Sequence, residues 1–322
     1  MEKAPFFSDV DDGPAGGHAV WLTCDDGVRI RLGVWPHDGA KGTVLLFPGR
    51  TEYIEKYGRA AADLAARGYA TLAVDWRGQG LADRLMQDRA PGHVVEFADY
   101  QRDVRAVIAA AQEMDLPRPW HLIAHSMGGC IGLRALHEGL PVASAVFTGP
   151  MWGIELPRAI RPIAWALAFG WSSAGQGHRL SPGTARESYV VAEAFDDNKL
   201  TTDAEMYEYM RRQTLAHPEL GLGGPTMRWL YKSLSEMLAL SRMPSPPVPC
   251  LTFVGSRERI VDVPRIEARM AAWPGGRLEV IPGGEHEVMM EGAEVRRHIF
   301  DLATAHFDAN AHAGDDRQAV PA

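Results

Sequence analysis

Short apolar, β-rich runs alternate along this chain with stretches whose apolar positions recur at helical spacing. Val28–Trp35, Thr43–Phe47, Tyr69–Val74, Trp120–Ala124 and Val142–Phe147 make up the first kind. Runs of this length and composition fit strands buried on both faces. Between them, Ile54, Tyr57, Ala61 and Leu64 fall on one helical face, and Gly68 suits a C-terminal cap. Tyr100, Val104, Val107, Ile108 and Ala111 form a second stripe, and Met127 to about His137 is a third helix-compatible stretch. The alternation predicts an α/β fold: a mostly parallel sheet with helices on both faces.

The pattern breaks at Pro150. Residues 150–245 are rich in Trp, Met, Arg and Gly and show few strands. The return Pro244-Ser-Pro-Pro-Val-Pro249 leads into one more buried run, Cys250–Val254. A helix (about Pro264–Ala272), a strand (Leu278–Ile281) and a final helix (about Glu294–Phe307) follow. The economical organisation is one core over residues 18–149 and 246–308, interrupted by a mainly helical cap insertion over 150–245. Residues 1–17, with Asp11-Asp12-Gly13-Pro14, read as a flexible lead-in, and the small, polar residues 309–322 as a disordered tail.

Composition narrows the function. A chain of 322 residues is long enough for a sizeable core. A net charge of −8 argues against general affinity for nucleic acid. Cys24, Cys130 and Cys250 lie far apart with no Cys-x-x-Cys pair. That excludes a disulfide scaffold or zinc ribbon and suits a reducing compartment. Met1–Val10 lacks the basic start and apolar core of an export signal. The longest apolar stretch, Ile163–Trp171, falls well short of the ~18 residues of a membrane span. The expected location is cytoplasmic.

The sharpest chemical signal is Ile123-Ala124-His125-Ser126-Met127-Gly128-Gly129, where an apolar strand turns into a helix. A serine at such a turn has its hydroxyl pushed off the sheet edge, and small residues two before and two after it let strand and helix crowd together. Ala124 and Gly128 supply them. A serine hydroxyl needs a base, and the base an orienting carboxylate, in the chain order Ser, acid, His. After Leu251–Val254 comes Gly255-Ser-Arg-Glu258-Arg-Ile-Val-Asp262, and after Leu278–Ile281 comes Pro282-Gly-Gly-Glu-His286-Glu287. His286, in a Gly-Gly loop after the last strand, is the candidate base. Glu258 and Asp262 are both candidate acids, Glu258 preferred because it leaves the strand first. Two backbone N–H donors must face the developing oxyanion. Met127, next after the serine, and Arg50, in the loop Phe47-Pro48-Gly49-Arg50-Thr51-Glu52, are the candidates.

With those residues in place, the chain resembles the serine hydrolases of the α/β-hydrolase fold that group monoacylglycerol lipases with bacterial lysophospholipases. The matching pieces are Pro48-Gly-Arg-Thr-Glu52, Asp75-Trp-Arg-Gly-Gln-Gly80, His125-Ser-Met-Gly-Gly129, Gly255-Ser-Arg-Glu-Arg-Ile-Val261 and His286-Glu287. The resemblance implies Ser126 as nucleophile, Glu258 as acid, His286 as base, and Arg50 and Met127 as oxyanion donors. The chain departs from the family at Pro48, where many members have His, at Ala124, where Gly is usual, and at Glu258, where Asp is usual. The implied activity is a carboxylic ester hydrolase, a lysophospholipase or monoacylglycerol lipase, working through an acyl-enzyme on a lipid-like ester. A peptidase, thioesterase or perhydrolase on the same triad, or a catalytically silent binding protein of this fold, stays open. The sequence carries no phosphate loop, no dinucleotide loop and no metal constellation, so neither cofactor nor metal is expected.

The insertion would lie over the serine. Its aromatics include Trp152, Trp165, Phe169, Trp171, Trp229 and Tyr231. They fit packing of the cap onto the core, an acyl-chain tunnel, or a lip that rests on the inner face of a membrane, with Ile160–Trp171 the part best suited to the last two.

Overall fold

The computed structural model describes residues 1–157 and 159–312. Nine strands form one sheet: β1 (Glu2–Ala4), β2 (His18–Thr23), β3 (Arg29–Trp35), β4 (Thr43–Phe47), β5 (Ala70–Asp75), β6 (Trp120–His125), β7 (Ser144–Thr148), β8 (Cys250–Gly255) and β9 (Arg277–Ile281). Their spatial order is β1-β2-β3-β5-β4-β6-β7-β8-β9. The pairs from β1 to β5 are antiparallel, and those from β5 through β4 to β9 are parallel. This is the mostly parallel sheet that the apolar runs predict.

Nine helices accompany it among the described residues: α1 (Gly58–Ala65), α2 (Tyr100–Glu113), α3 (Met127–His137), α4 (Arg161–Ser173), α5 (Tyr189–Ala192), α6 (Ala204–Ala216), α7 (Met227–Ser241), α8 (Val263–Ala271) and α9 (Ala293–Ala309). Successive residues of a strand face opposite sides. Along β4, Leu45 and Phe47 therefore join the apolar cluster under α2, α3 and α7, while Val44 and Leu46 join the one under α1, α6 and α9. Four helices, α4 to α7, fall between β7 and β8. None of the described helices is long and apolar enough to cross a membrane.

Two features depart from the sequence pattern. β2 carries only the four-residue apolar run Ala19–Leu22 behind a polar lead-in, and its antiparallel pairing with β1 and β3 makes it a strand. Residues 1–17 are tied down. β1 pairs with β2, Arg31 donates to Pro5 O at 2.9 Å, and Trp35 donates to the Asp11 carboxylate at 3.2 Å. Tyr209 and Gln213 of α6 donate to the carbonyls of Asp11 and Val10 at 2.7 and 2.6 Å. The polar residues that look like slack in the sequence are hydrogen-bonded by partners remote in the chain. Of the tail expected over 309–322, residues 313–322 lie outside the described residues.

The connections position the site. From β4 the chain passes to β5 on one side and later to β6 on the other. The carboxyl ends of β4 and β6 therefore flank a topological switch point, where open α/β sheets place their ligands.

Candidate active site

Ser126 occupies the step from β6 to α3 at φ 49° and ψ −116°. A side chain in this left-handed region is strained, and persists only where its surroundings impose it. Here they do: Ser126 N donates to Thr148 O at 3.1 Å, and Ser126 O accepts from Gly129 N at 2.9 Å and Met151 N at 2.8 Å. Gly128 is required by close packing, since a Cβ there would sit 2.1 Å from Phe47 O. The small residue two after the serine thus lets α3 press against the end of β4.

His286 Nε2 lies 2.9 Å from Ser126 Oγ, and His286 Nδ1 lies 2.6 Å from Glu258 Oε2. The other Glu258 oxygen accepts from the backbone N–H groups of Ile260 and Val261 at 2.6 and 3.1 Å. The Glu258 side chain is fully buried. Burial pushes its carboxyl up, but His286 and the two amides outweigh that and hold it below the usual carboxylate range. Such a carboxylate stays ionised at neutral pH. It fixes the imidazole with Nδ1 protonated and Nε2 free to accept from the serine.

Asp262 is in the same loop and points elsewhere. It accepts from Arg161 Nη2 at 2.8 Å and stands at the N-terminus of α8. The sequence could not separate the two acids by spacing. The loop's turn, closed by Glu258's own bonds to residues 260 and 261, does so.

The loop after β4 lies against the serine: a Cβ on Gly49 would be 3.0 Å from the Ser126 Cβ. Arg50, the next residue, and Ser126 both line the same cavity. Met127 opens α3, whose first-turn amides have no acceptor within the helix. The loop is held by the turn after β5. Trp76 Nε1 donates to Pro48 O at 2.9 Å, and Gln79 Nε2 to Gly49 O at 2.8 Å.

Sequence reasoning missed a buried ionic cluster behind the site. Lys56 Nζ donates to Glu52 Oε1 at 2.5 Å and to Glu287 Oε1 at 2.7 Å. His125 Nδ1 meets Thr148 O at 2.9 Å, and its Nε2 lies 3.2 Å from Glu287 Oε2. Glu52 also accepts from Gly49 N and Tyr57 OH, which couples the cluster to the loop beside Ser126. The hints in the sequence were that His125 and Glu287 each neighbour a candidate triad residue and that Glu52 closes the quoted Pro48–Glu52 piece. Glu52, His125 and Glu287 could together ligate a metal by type, but the Lys56 ammonium already stands between the two carboxylates.

The cluster makes stability pH-dependent. Burial would raise the Glu287 carboxyl, but His125 and Lys56 drive it well below 4.5. A depressed native pKa gives stability that is present above the unfolded value and lost as pH falls through the native one. Glu287→Gln removes the carboxylate that bridges Lys56 and His125, leaving Lys56 with Glu52 alone, and is expected to cost on the order of 3–5 kcal/mol at pH 7. The gap from wild type should shrink below pH 4.5. Thermal unfolding of both proteins at pH 7 and pH 3.5 checks this, and an equal gap at both would refute it.

The hydroxyl of Ser126 opens into a cavity of about 380 Å³. Its walls are mostly apolar and come from both the core and the 150–245 segment, among them Tyr53, Met151, Met210, Leu230 and Val261. The segment also anchors the histidine loop, since Lys199 O and Leu200 O accept from the amides of His286 and Glu287 at 3.4 and 2.7 Å.

Comparison with known proteins adds to this geometry. Residues 38–293 match the family described as serine aminopeptidase, S33. The chain is 34% identical over 283 residues to lysophospholipase L2 of Escherichia coli strain K12, covering 83% of this chain and 79% of that protein. It is 30% identical over 268 residues to the probable lysophospholipase L2 of Haemophilus influenzae, covering 83% of each. In structure it is similar to a soluble variant of monoglyceride lipase from Saccharomyces cerevisiae, with a TM-score of 0.71, 19% identity, and coverage of 96% of this chain and 99% of that one.

Proposed function

The chain belongs to the serine aminopeptidase family of α/β-hydrolases and is a carboxylic ester hydrolase, and from that premise we propose that it is a lysophospholipase that works through Ser126, His286 and Glu258. The observation that carries the reading is the unbroken Ser126–His286–Glu258 hydrogen-bond chain at the wall of an apolar cavity.

In this reading the substrate's acyl chain lies along the apolar walls and its ester carbonyl sits over Ser126. As Ser126 Oγ attacks the carbonyl carbon, its proton passes to His286 Nε2. Glu258 stabilises the imidazolium that forms. The carbonyl oxygen takes up the electron pair, held by the N–H groups of Met127 and Arg50. Collapse expels the glycerol-side alkoxide, which leaves with the proton from His286. Water, deprotonated by the same nitrogen, then attacks the acyl-enzyme and releases the fatty acid and free serine.

The substrate assignment also draws on the named lysophospholipase relatives. The three cysteines are free and buried, in keeping with a cytoplasmic protein. Ile163, Leu167, Phe169 and Trp171 of α4 are exposed, and this helix is the part of the insertion we assign to peripheral membrane contact.

A p-nitrophenyl ester series tests the lipid-like substrate. If the cavity takes the acyl chain, kcat/KM should rise from acetate upward by as much as about fourfold for each methylene buried. A sharp preference for acetate would remove the lipid reading. Lysophospholipids and monoacylglycerols of one acyl length, assayed side by side, then separate lysophospholipase from monoacylglycerol lipase.

A further inference from the structure

Arg50 offers only its backbone to the reaction centre, and the fold gives its side chain no counter-charge. Nη1 donates to Gly223 O at 2.9 Å, and the guanidinium carbon lies 5.6 Å from the centre of the Trp229 ring. Among the described residues no Asp or Glu pairs with it. Burial draws its pKa down to about 10, so it remains a cation at neutral pH. A guanidinium has five N–H donors, and a cation partly withdrawn from water without an anion is costly. Arg50 nonetheless lines the same cavity as Ser126.

The surroundings fix where that cation points. Gly223 N donates to Ala90 O and Gly224 N to Ala185 O, both at 2.7 Å, and Gly224 O accepts from Gly92 N at 2.9 Å. The glycine run Gly221–Pro225, which fits no nucleotide-binding pattern, is therefore pinned on two sides and presents the Gly223 carbonyl to Arg50. Ser181 sits against the same run, its N–H donating to Pro225 O at 2.9 Å. Ser181 is 6% exposed, its Oγ is buried without a partner, and it lines the cavity too. A cation without an anion and a hydroxyl without a partner thus line the same pocket, each braced against the Gly223–Pro225 stretch.

We propose that Arg50 and Ser181 form a phosphate subsite, which holds the phosphate of a glycerophosphate headgroup while Ser126 attacks the acyl ester. This rests on the lysophospholipase reading and names the group that selects within it. One residue then serves both ends of the substrate: the Arg50 N–H faces the carbonyl, and its guanidinium faces the phosphate across the glycerol backbone. A monoacylglycerol, with a hydroxyl in place of the phosphate, leaves the half-buried cation unpaired, the kind of mismatch that discriminates between substrates most strongly.

The readout is the ratio of kcat/KM for 1-palmitoyl lysophosphatidylethanolamine to that for 1-palmitoylglycerol. Arg50→Met should lower this ratio by about 30-fold, the scale of hydrogen bonds to a charged group, and Arg50→Lys by less. Ser181→Ala, which leaves the arginine and its strap intact, should lower it by about threefold to tenfold. A second arm measures competition by glycerol 3-phosphate against p-nitrophenyl butyrate, with an inhibition constant expected to rise at least tenfold in Arg50→Met. A lowered ratio without competition supports a subsite that takes the phosphate on the lipid, and competition with a constant ratio supports one that takes the free ester. An unchanged ratio in both Arg50→Met and Ser181→Ala, with no competition in wild type, overturns the proposal. Wild-type protein that cleaves p-nitrophenyl butyrate but no lysophospholipid defeats the lysophospholipase reading alone, and the competition arm then decides the phosphate site.

Discussion

Ser126→Ala is expected to lower kcat by on the order of 10⁴-fold or more and to abolish labelling by a fluorophosphonate. The substitution removes the one oxygen that His286 Nε2 contacts at 2.9 Å. It leaves the Thr148 and Gly129 backbone bonds that hold the strained turn, so the fold should be retained. Circular dichroism and thermal unfolding on the same preparation check that. A binding protein of this fold would not be labelled even as wild type. Labelling that survives in the alanine variant would place the nucleophile elsewhere.

The second large effect separates two carboxylates in one loop. Glu258→Gln should reduce kcat by about 10²- to 10⁴-fold, because a neutral amide neither stabilises the imidazolium nor enforces the Nδ1-protonated tautomer. Asp262→Asn should leave kcat within about threefold, since its carboxylate pairs with Arg161 and Arg265 while Glu258 holds His286. Its cost should fall on the contact with Arg161. Steady-state kinetics on the two variants side by side decides the assignment, and a larger loss from Asp262→Asn would reverse it.

Much of the architecture was legible because the central strands are buried on both faces and so carry apolar runs. β4 and β6 stand out for this reason, and the Ala124-x-Ser126-x-Gly128 spacing marks the turn between β6 and α3. The same logic is silent at the edge. β1 is only Glu2-Lys-Ala4, held by its pairing with β2, and nothing local marks it. The ionic cluster was illegible for a different reason. Lys56 and Glu287 meet across 231 residues of chain, and nothing near Lys56 marks it as Glu287's partner. The choice between Glu258 and Asp262 lay between these cases: both sat in the right loop, and only the loop's turn shows which one reaches the histidine.

The opening residues give the architecture a practical consequence. Val10 and Asp11 are bound by Tyr209 and Gln213 of α6, and Asp11 also by Trp35 of β3. The first dozen residues thus act as a mooring line between the sheet and the roof over the pocket. An expression design that trims them as dispensable padding would untie that roof while leaving every reacting group in the sequence.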